Sequence, residues 1–267
     1  MIFASDLDRT LMYSARAITD LGMPISSKLK PVEEKDGKWV SFMTETSFIK
    51  LKEISHQGIF VPVTTRTTAQ FNRFVIFKQE IPIKYAVTSN GATILYQGIP
   101  LKEWSNYIQE RRQMETVSQI ELLNVLKKEG FDLDGEKNQA ENLFFYYILN
   151  CLPTVTEKEA IDELALKNGW RVSLQGRKLY FIPKAISKGS ALEYICKLEG
   201  INAIAGAGDS ILDWDFLKNC QYRFVPNHGE LANLLAPVPG TTNYFLTKSS
   251  GLLAGEEILQ QFHNLLS

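Results

Sequence analysis

The sequence predicts an α/β fold with a three-layer core around a parallel sheet, into which a smaller α+β domain with an antiparallel sheet is inserted. The core is indicated by short apolar runs that alternate with helical patterns and end in small or polar residues. Such runs are typical of strands that helices cover on both faces. The inserted domain is indicated by three strand-like runs that lie close together in the middle of the chain.

Composition and charge exclude several classes of protein. The 267 residues carry 29 Lys and Arg against 30 Asp and Glu, so the formal net charge is −1. A protein that binds nucleic acid by neutralising phosphates normally has a basic excess, and this chain has none. The longest apolar run, residues 143–149, is far shorter than the ~18 residues that a membrane span needs. Neither nucleic acid nor a membrane is therefore expected as a partner, and the oligomeric state is left open.

The cysteines indicate the compartment. Cys151, Cys196 and Cys220 are widely spaced and odd in number, which favours a reducing interior over a disulfide framework. No C-x-x-C pair indicates zinc. Asp6 comes before any apolar region long enough for a secretory signal. A cytoplasmic protein is therefore expected.

The first predicted elements are a strand and a hairpin. Residues 1–5 predict a short strand that leads into an acidic loop. Residues 29–43 predict a hairpin, because Asp36 and Gly37 are the residue types that adopt positive φ angles in tight turns.

A helix and three buried strands complete the core pattern. The helix is expected to begin after Thr44 or Thr46 as its cap and to run to about His56, with Gly58 as its end. The buried strands are predicted at residues 59–63, 85–88 and 203–205. A parallel sheet of this kind places its ligand site at the carboxyl ends of its strands.

The middle of the chain has a different pattern. Residues 104–129 are helical in their periodicity, and a further helix is expected at 156–168. The three strand-like runs occupy residues 143–149, 170–174 and 178–182. Because strands that neighbour one another in sequence favour antiparallel pairing, we expect residues 92–183 to form the inserted domain. Residues 1–91 and 184–267 would then form the core.

Four polar clusters lie where core strands are expected to end: Asp6-Leu7-Asp8-Arg9-Thr10, Thr64-Thr65-Arg66, Ser187-Lys188-Gly189-Ser190 and Gly206-Ala207-Gly208-Asp209-Ser210, with Asp213 close behind. Residues i and i+2 of an extended segment point the same way, so Asp6 and Asp8 can face one pocket. With Asp209 and Asp213, four carboxylates would share that pocket. Two such charges ~4 Å apart repel by about 4 kcal/mol at an effective dielectric constant of ~20. A divalent cation relieves the repulsion, and oxygen ligands without His or Cys favour Mg²⁺.

Such a pocket is suited to a phosphoryl group. Mg²⁺ and Lys188 would offset its negative charge, while Thr64 and neighbouring backbone amides would hold its oxygens. Asp6 can attack phosphorus and form an aspartyl-phosphate, which divides one hard displacement into two easier ones. Asp8 can protonate the leaving alcohol and later deprotonate the attacking water.

The same motifs resemble the haloacid dehalogenase superfamily of phosphatases. D-L-D-R-T, T-T-R, S-K-G-S-A-L and G-D-S-I-L-D occur in the order of its four motifs and span most of the chain. T-S-N-G-A at residues 88–92 is similar to the Cof-type and sucrose-phosphatase-like branch with its large α/β cap. G-D-S in place of G-D-N favours the sucrose-phosphate and mannosylphosphoglycerate phosphatases. The resemblance implies a Rossmann-like core with an inserted cap domain.

The resemblance also implies the reacting and metal-binding residues. Asp6 would be the nucleophile and Asp8 the general acid and base. Asp6, Asp209 and Asp213 would bind Mg²⁺ through their side chains, and Asp8 would offer its backbone carbonyl to the same ion.

The remaining positions carried over concern phosphate and substrate. Thr64, Thr65 and Lys188 would bind the phosphoryl group, and Asn90 would lie near the substrate at the junction of core and cap. Arg66 is either a substrate contact or one member of an ion pair that holds loops together.

The chain departs from the pattern of this branch at three positions and in one length. Arg9 replaces the common Gly after Asp8, and Thr65 replaces the Gly before Arg66. Leu212 replaces the usual Asn before Asp213, which alters the polar surroundings of that carboxylate. The segment between the first two motifs is longer than usual, so the hairpin at residues 29–43 is a candidate flap over the pocket.

These observations predict a Mg²⁺-dependent phosphohydrolase that acts on a small phosphorylated metabolite, with a sugar phosphate favoured. Three alternatives are left open: a phosphomutase or phosphotransferase of the same superfamily, a non-catalytic phosphorylation switch, and a member that has lost activity. The sequence does not name the substrate. A dinucleotide site at G-A-G-D-S is disfavoured, because Ile211 occupies the third Gly position of G-x-G-x-x-G.

Overall fold

The structure, a computed structural model, describes residues 1–22, 28–81, 83–234 and 244–266. The chain divides into two compact units. The first consists of Met1–Leu101 with Lys188–Ser267, and the second is Lys102–Ser187. The limits of 92–183 for an inserted domain stay a prediction. No helix in the described ranges is both long enough and apolar enough to cross a membrane.

The helices and strands are numbered in chain order. Those before residue 102 are β1 Ile2–Ser5, β2 Tyr13–Ser14, α1 Ala15–Leu21, β3 Leu29–Lys35, β4 Lys38–Thr44, α2 Glu45–Gln57, β5 Ile59–Pro62, α3 Thr68–Phe71, α4 Ile76–Gln79, β6 Tyr85–Thr88, a 3₁₀ turn Ser89–Gly91, β7 Thr93–Tyr96 and β8 Ile99–Pro100. Those of the second unit are α5 Lys102–Glu115, α6 Gln119–Lys128, β9 Gly135–Ala140, β10 Phe144–Leu149, α7 Val155–Lys167, β11 Trp170–Gln175 and β12 Lys178–Pro183. Those that follow are α8 Lys188–Glu199, β13 Ala203–Ala207, α9 Ile211–Leu217, β14 Tyr222–Val225, α10 Glu230–Leu234, β15 Tyr244–Leu246 and α11 Gly251–Asn264.

The first unit is built on a parallel sheet of strand order β15-β14-β13-β1-β5. All four residues of β1 are buried, as expected for a strand covered on both faces. Phe3 on β1 packs against Phe262 of α11, with 5.3 Å between the ring centroids, and Phe224 on β14 packs against the same ring. The predicted α/β fold with a parallel sheet is therefore confirmed.

The predicted hairpin forms between β3 and β4. Asp36 and Gly37 have φ angles of 51° and 73°, which are the positive angles that a two-residue turn requires. Val32 and Met43 are fully buried in the hydrophobic core of the first unit. The hairpin is thus anchored in the core through these residues while its tip is exposed, and its role as a flap stays a prediction.

The helix that follows the hairpin agrees with the sequence. The Thr44 hydroxyl accepts a hydrogen bond from the backbone N–H of Ser47 at 3.0 Å, so Thr44 is the cap of α2. At the other end Gly58 donates its backbone N–H to Ile54, and β5 begins one residue later.

The strand at residues 85–88 differs from the expectation that it belongs to the parallel sheet. It pairs antiparallel with β7 in a separate sheet of order β6-β7-β8, and a single parallel bridge between Val63 and Val87 joins it to the end of β5. The tight turn at Ser89–Gly91 returns the chain directly beside β6, so β7 pairs with it antiparallel.

The second unit contains an antiparallel sheet of order β11-β12-β10-β9 together with α5, α6 and α7. Its core includes Phe145 and Phe181, which stack with 4.8 Å between ring centroids, and the edge of Trp170. The helical pattern at residues 104–129 forms two helices, because Ser118 and Glu121 make a reciprocal capping box that begins α6. Strand β9 was not predicted, since its sequence G-E-K-N-Q-A is polar.

Candidate active site

The site lies at the carboxyl edge of the parallel sheet, where β13, β1 and β5 are neighbours. Asp6 directly follows β1, Thr64 comes two residues after β5, and Asp209 comes two residues after β13. Because the three strands are parallel, their carboxyl ends meet at one edge. The backbone N–H of Asp6 donates to Ala207 at 2.9 Å, and the backbone N–H of Val63 donates to Ser5 at 2.7 Å.

A buried lysine links two of the predicted carboxylates. Lys188, the first residue of α8, is 1% exposed. Its Nζ donates to Asp6 Oδ1 at 3.0 Å and to Asp213 Oδ1 at 2.6 Å. The first turn of a helix is an unfavourable place for a cation, so these two carboxylates are what stabilises the charge.

Asp213 is fully buried on the first turn of α9. Its Oδ2 accepts hydrogen bonds from the backbone N–H groups of Asp209 and Ser210 and from the Ser210 hydroxyl, at 2.9 to 3.1 Å. Gly208 makes this approach possible, because a Cβ at that position would lie 2.3 Å from the Cβ of Asp213. The carboxylate is held in one orientation, with its other oxygen turned to Lys188.

Burial and the charges of neighbouring residues shift the pKa values of the carboxylates in the site. Burial raises the pKa of Asp6 to about 7, Lys188 opposes the shift, and Asp213 and Asp8 add to it. Burial also raises the pKa of Asp209 well above its usual range, and the charges of Asp213 and Asp6 add to that effect. Burial alone would lower the pKa of Lys188, but Asp213 and Asp6 outweigh it, so the lysine stays charged.

Three carboxylates fit the predicted metal site. One oxygen each from Asp6, Asp209 and Asp213 lies within 4.8 Å of the other two. This donor set consists of hard oxygens and carries more negative charge than Lys188 offsets, and Mg²⁺ is the ion that such a set favours.

The side chain of Asp8 has a different environment. Its two oxygens accept from Arg66 Nε at 2.6 Å and from Arg66 Nη2 at 2.7 Å. The adjacent edge of the same guanidinium, Nη1 and Nη2, donates to the two oxygens of Glu33 at 2.6 and 3.0 Å. Of the two roles open to Arg66, the contacts therefore correspond to an ion pair that joins loops.

The phosphate and substrate positions are placed as follows. Thr64 is fully buried, and its hydroxyl accepts from the backbone N–H of Arg66 at 3.1 Å. Thr65 is half-buried and makes no side-chain hydrogen bond within the described residues. The backbone N–H of Asn90 donates to Thr64 at 3.1 Å, and its buried Oδ1 receives no hydrogen bond from the described part of the chain.

Arg9 accounts for one departure from the family pattern. Its φ angle is 59°, so it adopts the left-handed conformation for which Gly is the usual residue. Its Nε lies 3.9 Å from Asp209 Oδ2, and its carbonyl oxygen lies 2.9 Å from Nε2 of His228. For a residue with a side chain this conformation costs roughly 1–2 kcal/mol. Nothing in the structure explains Leu212.

Two residues near the site were missed from the sequence. Glu33 lies on a hairpin strand next to a second glutamate, and nothing in the pattern distinguishes the buried residue from the exposed one. His228 is half-buried, and its Nδ1 accepts from the backbone N–H of Gly251 at 3.2 Å. An isolated histidine at no metal-ligand spacing carries no signal of such a contact.

A parallel sheet with this carboxylate cluster around a buried lysine defines a phosphatase of the haloacid dehalogenase superfamily. Within that class the chain belongs to the sucrose-6F-phosphate phosphohydrolase family, whose model matches residues 1–228. Among curated proteins, none matches the chain in sequence.

Solved structures share the fold over nearly the whole chain. The sucrose-phosphatase from Synechocystis, solved in complex with sucrose and phosphate, is 16% identical with a TM-score of 0.67, over 98% of this chain and 97% of that one. A haloacid dehalogenase-like hydrolase from Bacillus subtilis is 15% identical with a TM-score of 0.57, over 97% and 90%. A trehalose-6-phosphate phosphatase related protein is 14% identical with a TM-score of 0.53, over 99% and 98%.

Proposed function

We propose that this phosphatase hydrolyses the phosphate monoester of a small sugar through an aspartyl-phosphate on Asp6. The observation that carries the proposal is the 3.0 Å contact between Asp6 and the buried Lys188, beside the carboxylates of Asp209 and Asp213. A sugar phosphate is supported by the family, which is described by its action on sucrose-6F-phosphate, and by the neighbour solved with sucrose and phosphate.

Asp6 is the proposed nucleophile. One of its carboxylate oxygens attacks phosphorus, and the bond between phosphorus and the sugar oxygen breaks. Lys188 lies against the same carboxylate, so its ammonium group is in position to offset the negative charge of the phosphoryl oxygens. Asp213 holds that ammonium group in place.

Mg²⁺ is the proposed cofactor, bound by side-chain oxygens of Asp6, Asp209 and Asp213 and by the backbone carbonyl of Asp8. The separation of the three carboxylates supports this assignment. When bound, the ion would neutralise part of the negative charge of the phosphoryl group.

Asp8 is the proposed general acid and base. It would give a proton to the departing sugar oxygen and would take one from the water that later attacks the aspartyl-phosphate. Its side chain is 45% exposed, which leaves room for a substrate beside it. The hydrogen bonds from Arg66 keep the carboxylate near the end of β1.

The second unit is the proposed cap, which would exclude water and select the sugar. Thr64 and Thr65 are proposed to hold phosphoryl oxygens, and the unbonded Oδ1 of Asn90 supports a contact with the substrate. Arg66 is assigned to positioning, since both edges of its guanidinium are occupied by protein carboxylates. A cytoplasmic location stays a prediction.

The test is a panel of phosphorylated metabolites that includes sucrose-6F-phosphate, assayed with Mg²⁺ and compared by kcat/KM. Wild type, Asp6→Asn and Asp20→Asn are measured side by side. Asp20 is an exposed residue of α1, so its substitution is a matched control for the loss of one carboxylate.

We expect sugar phosphates to give the highest kcat/KM, Asp20→Asn to match wild type, and Asp6→Asn to lose turnover while folding normally. Addition of a chelator should abolish activity, and Mg²⁺ should restore it. Near-full activity of purified Asp6→Asn would contradict the mechanism, and a preference for phosphates without a sugar would contradict the proposed substrate.

A further inference from the structure

The hairpin contributes a buried charge to the neighbourhood of the site. Glu33 on β3 is 2% exposed, and its carboxylate accepts from both Nη atoms of Arg66. It also accepts from the Ser41 hydroxyl at 2.6 Å, and Arg73 Nε lies 2.9 Å from Oε1. The side chain is therefore restrained from three directions.

The backbone around Glu33 is restrained as well. Val32 accepts from the backbone N–H of Val75 at 3.0 Å, and Glu34 donates its N–H to Arg73 at 3.0 Å. These bonds join the hairpin to the segment that follows the Thr64-Thr65-Arg66 motif. The glutamate is thus fixed relative to the loop that carries Arg66.

Arg66 transmits this restraint to Asp8. One edge of its guanidinium faces Glu33 and the adjacent edge faces Asp8, with two hydrogen bonds on each side. The ring of Phe74 covers its face, 4.4 Å from the guanidinium carbon. With both edges and one face in contact, the plane of the guanidinium has one orientation, and Asp8 has one orientation against it.

We propose that Glu33 is a positioning residue for the reaction, which fixes Arg66 and through it the carboxylate of Asp8 that exchanges protons with the sugar oxygen and the water. The inference rests on the proposed function and deepens it, because it assigns the hairpin between the first two motifs to proton transfer. A buried ion pair is weak evidence for stability by itself, since apolar residues of similar volume often serve as well. The orientation of Arg66 and Asp8 would explain why a charged residue, rather than an apolar one, is buried at position 33.

The test compares Glu33→Gln with Glu34→Gln, its exposed neighbour on the same strand, on two substrates. A sugar phosphate has a poor leaving group that needs a proton from Asp8, whereas p-nitrophenyl phosphate releases a stable phenolate without one. Alcohol or phenol release is measured in a single turnover, which separates the first phosphoryl transfer from the hydrolysis that follows.

We expect Glu33→Gln to slow release from the sugar phosphate by about 10- to 100-fold, because an ångström of misplacement can cost ~10²-fold. Release from p-nitrophenyl phosphate should change by less than about 3-fold, and KM should change little on either substrate. Glu34→Gln should match wild type. In an Asp8→Asn background, Glu33→Gln should have no further effect on the sugar phosphate.

Equal losses on both substrates, or a full additional loss in the Asp8→Asn background, would overturn the inference and leave the proposed function intact. Turnover by Asp6→Asn would instead overturn the proposed function. If Glu33→Gln does not fold, Ser41→Ala removes one hydrogen bond to Glu33 and should show the same substrate dependence at smaller size. If folded Ser41→Ala shows no such difference between the two substrates, that result would also overturn the role of Glu33.

Discussion

Replacement of Lys188 by Met tests the electrostatic balance of the site. The lysine is almost completely buried and contacts two carboxylates, at 3.0 Å for Asp6 and 2.6 Å for Asp213. Met has a similar length and fills the same space, so the substitution removes the charge with little change in packing.

The expected loss of stability follows from the charges left behind. Removal of one partner from a buried ion pair costs about 3–5 kcal/mol, because the remaining charge is buried without compensation. Here two carboxylates lose their cation, so we expect the Lys188→Met variant to fall at the upper end of that range near neutral pH.

The pH dependence has a definite sign. The pKa of Asp6 is already raised to about 7 in the folded protein, whereas an unfolded aspartate has a pKa of about 3.9. At this carboxylate the folded state therefore binds more protons than the unfolded state between these values, and the contribution of Asp6 to stability falls as pH rises through this window. Without Lys188 the folded pKa rises further, so the cost of Lys188→Met should be larger at about pH 8 than at about pH 5.

Urea denaturation at several pH values measures this cost, and a single-turnover assay measures activity. Lys197→Met is the matched control, since Lys197 is an exposed residue of the same helix. It should cost less than ~0.5 kcal/mol and keep full activity. A Lys188→Met variant as stable as Lys197→Met at every pH would refute the view that the lysine offsets buried carboxylates.

Two further predictions concern the loops around the site. Gly208→Ala should push Asp213 away from its hydrogen-bond donors, because the new methyl group would lie 2.3 Å from the Cβ of Asp213. We expect urea denaturation to show a loss of about 1–3 kcal/mol in the free energy of unfolding, together with loss of activity. A fully active Gly208→Ala enzyme would contradict the close approach of Gly208 and Asp213. Burial lowers the pKa of His228, and its Nδ1 accepts from the backbone N–H of Gly251. The contribution of His228 to stability should therefore fall as pH decreases below ~6.5, where the unfolded histidine takes up a proton. His228→Gln should be less sensitive to pH in that range, and equal pH profiles would show that the ring does not titrate on unfolding.

The parts of the site that the sequence predicted share a simple physical basis. Asp6, Asp209 and Thr64 follow buried strands, and the carboxyl ends of parallel strands meet at one sheet edge. The position of Lys188 in the first helical turn was also informative, because a cation is unfavourable there unless it has partners. These local signals were sufficient to predict that four motifs, separated by up to about two hundred residues, lie close together in the fold.

The features that were missed depend on long-range packing. Glu33 and Glu34 are the same residue type at adjacent positions, so the sequence does not show which of them is buried. In the fold, Glu33 is the one that is buried against Arg66. Strand β9 has no apolar alternation, because it is the edge strand of its sheet and only one of its six residues is buried. The antiparallel pairing of β6 depends on the positive φ angles of Ser89 and Asn90, which side-chain pattern alone does not reveal.

The most direct measurement is to trap the phosphoryl group on the protein. Enzyme is mixed with substrate and Mg²⁺ and quenched in acid within one turnover, and borohydride then reduces the acyl phosphate to an alcohol that mass spectrometry locates. We predict that the reduced residue is the aspartate at position 6 and that Asp6→Asn gives none. Reduction at another carboxylate, or a burst of alcohol release without any trapped residue, would contradict Asp6 as the nucleophile.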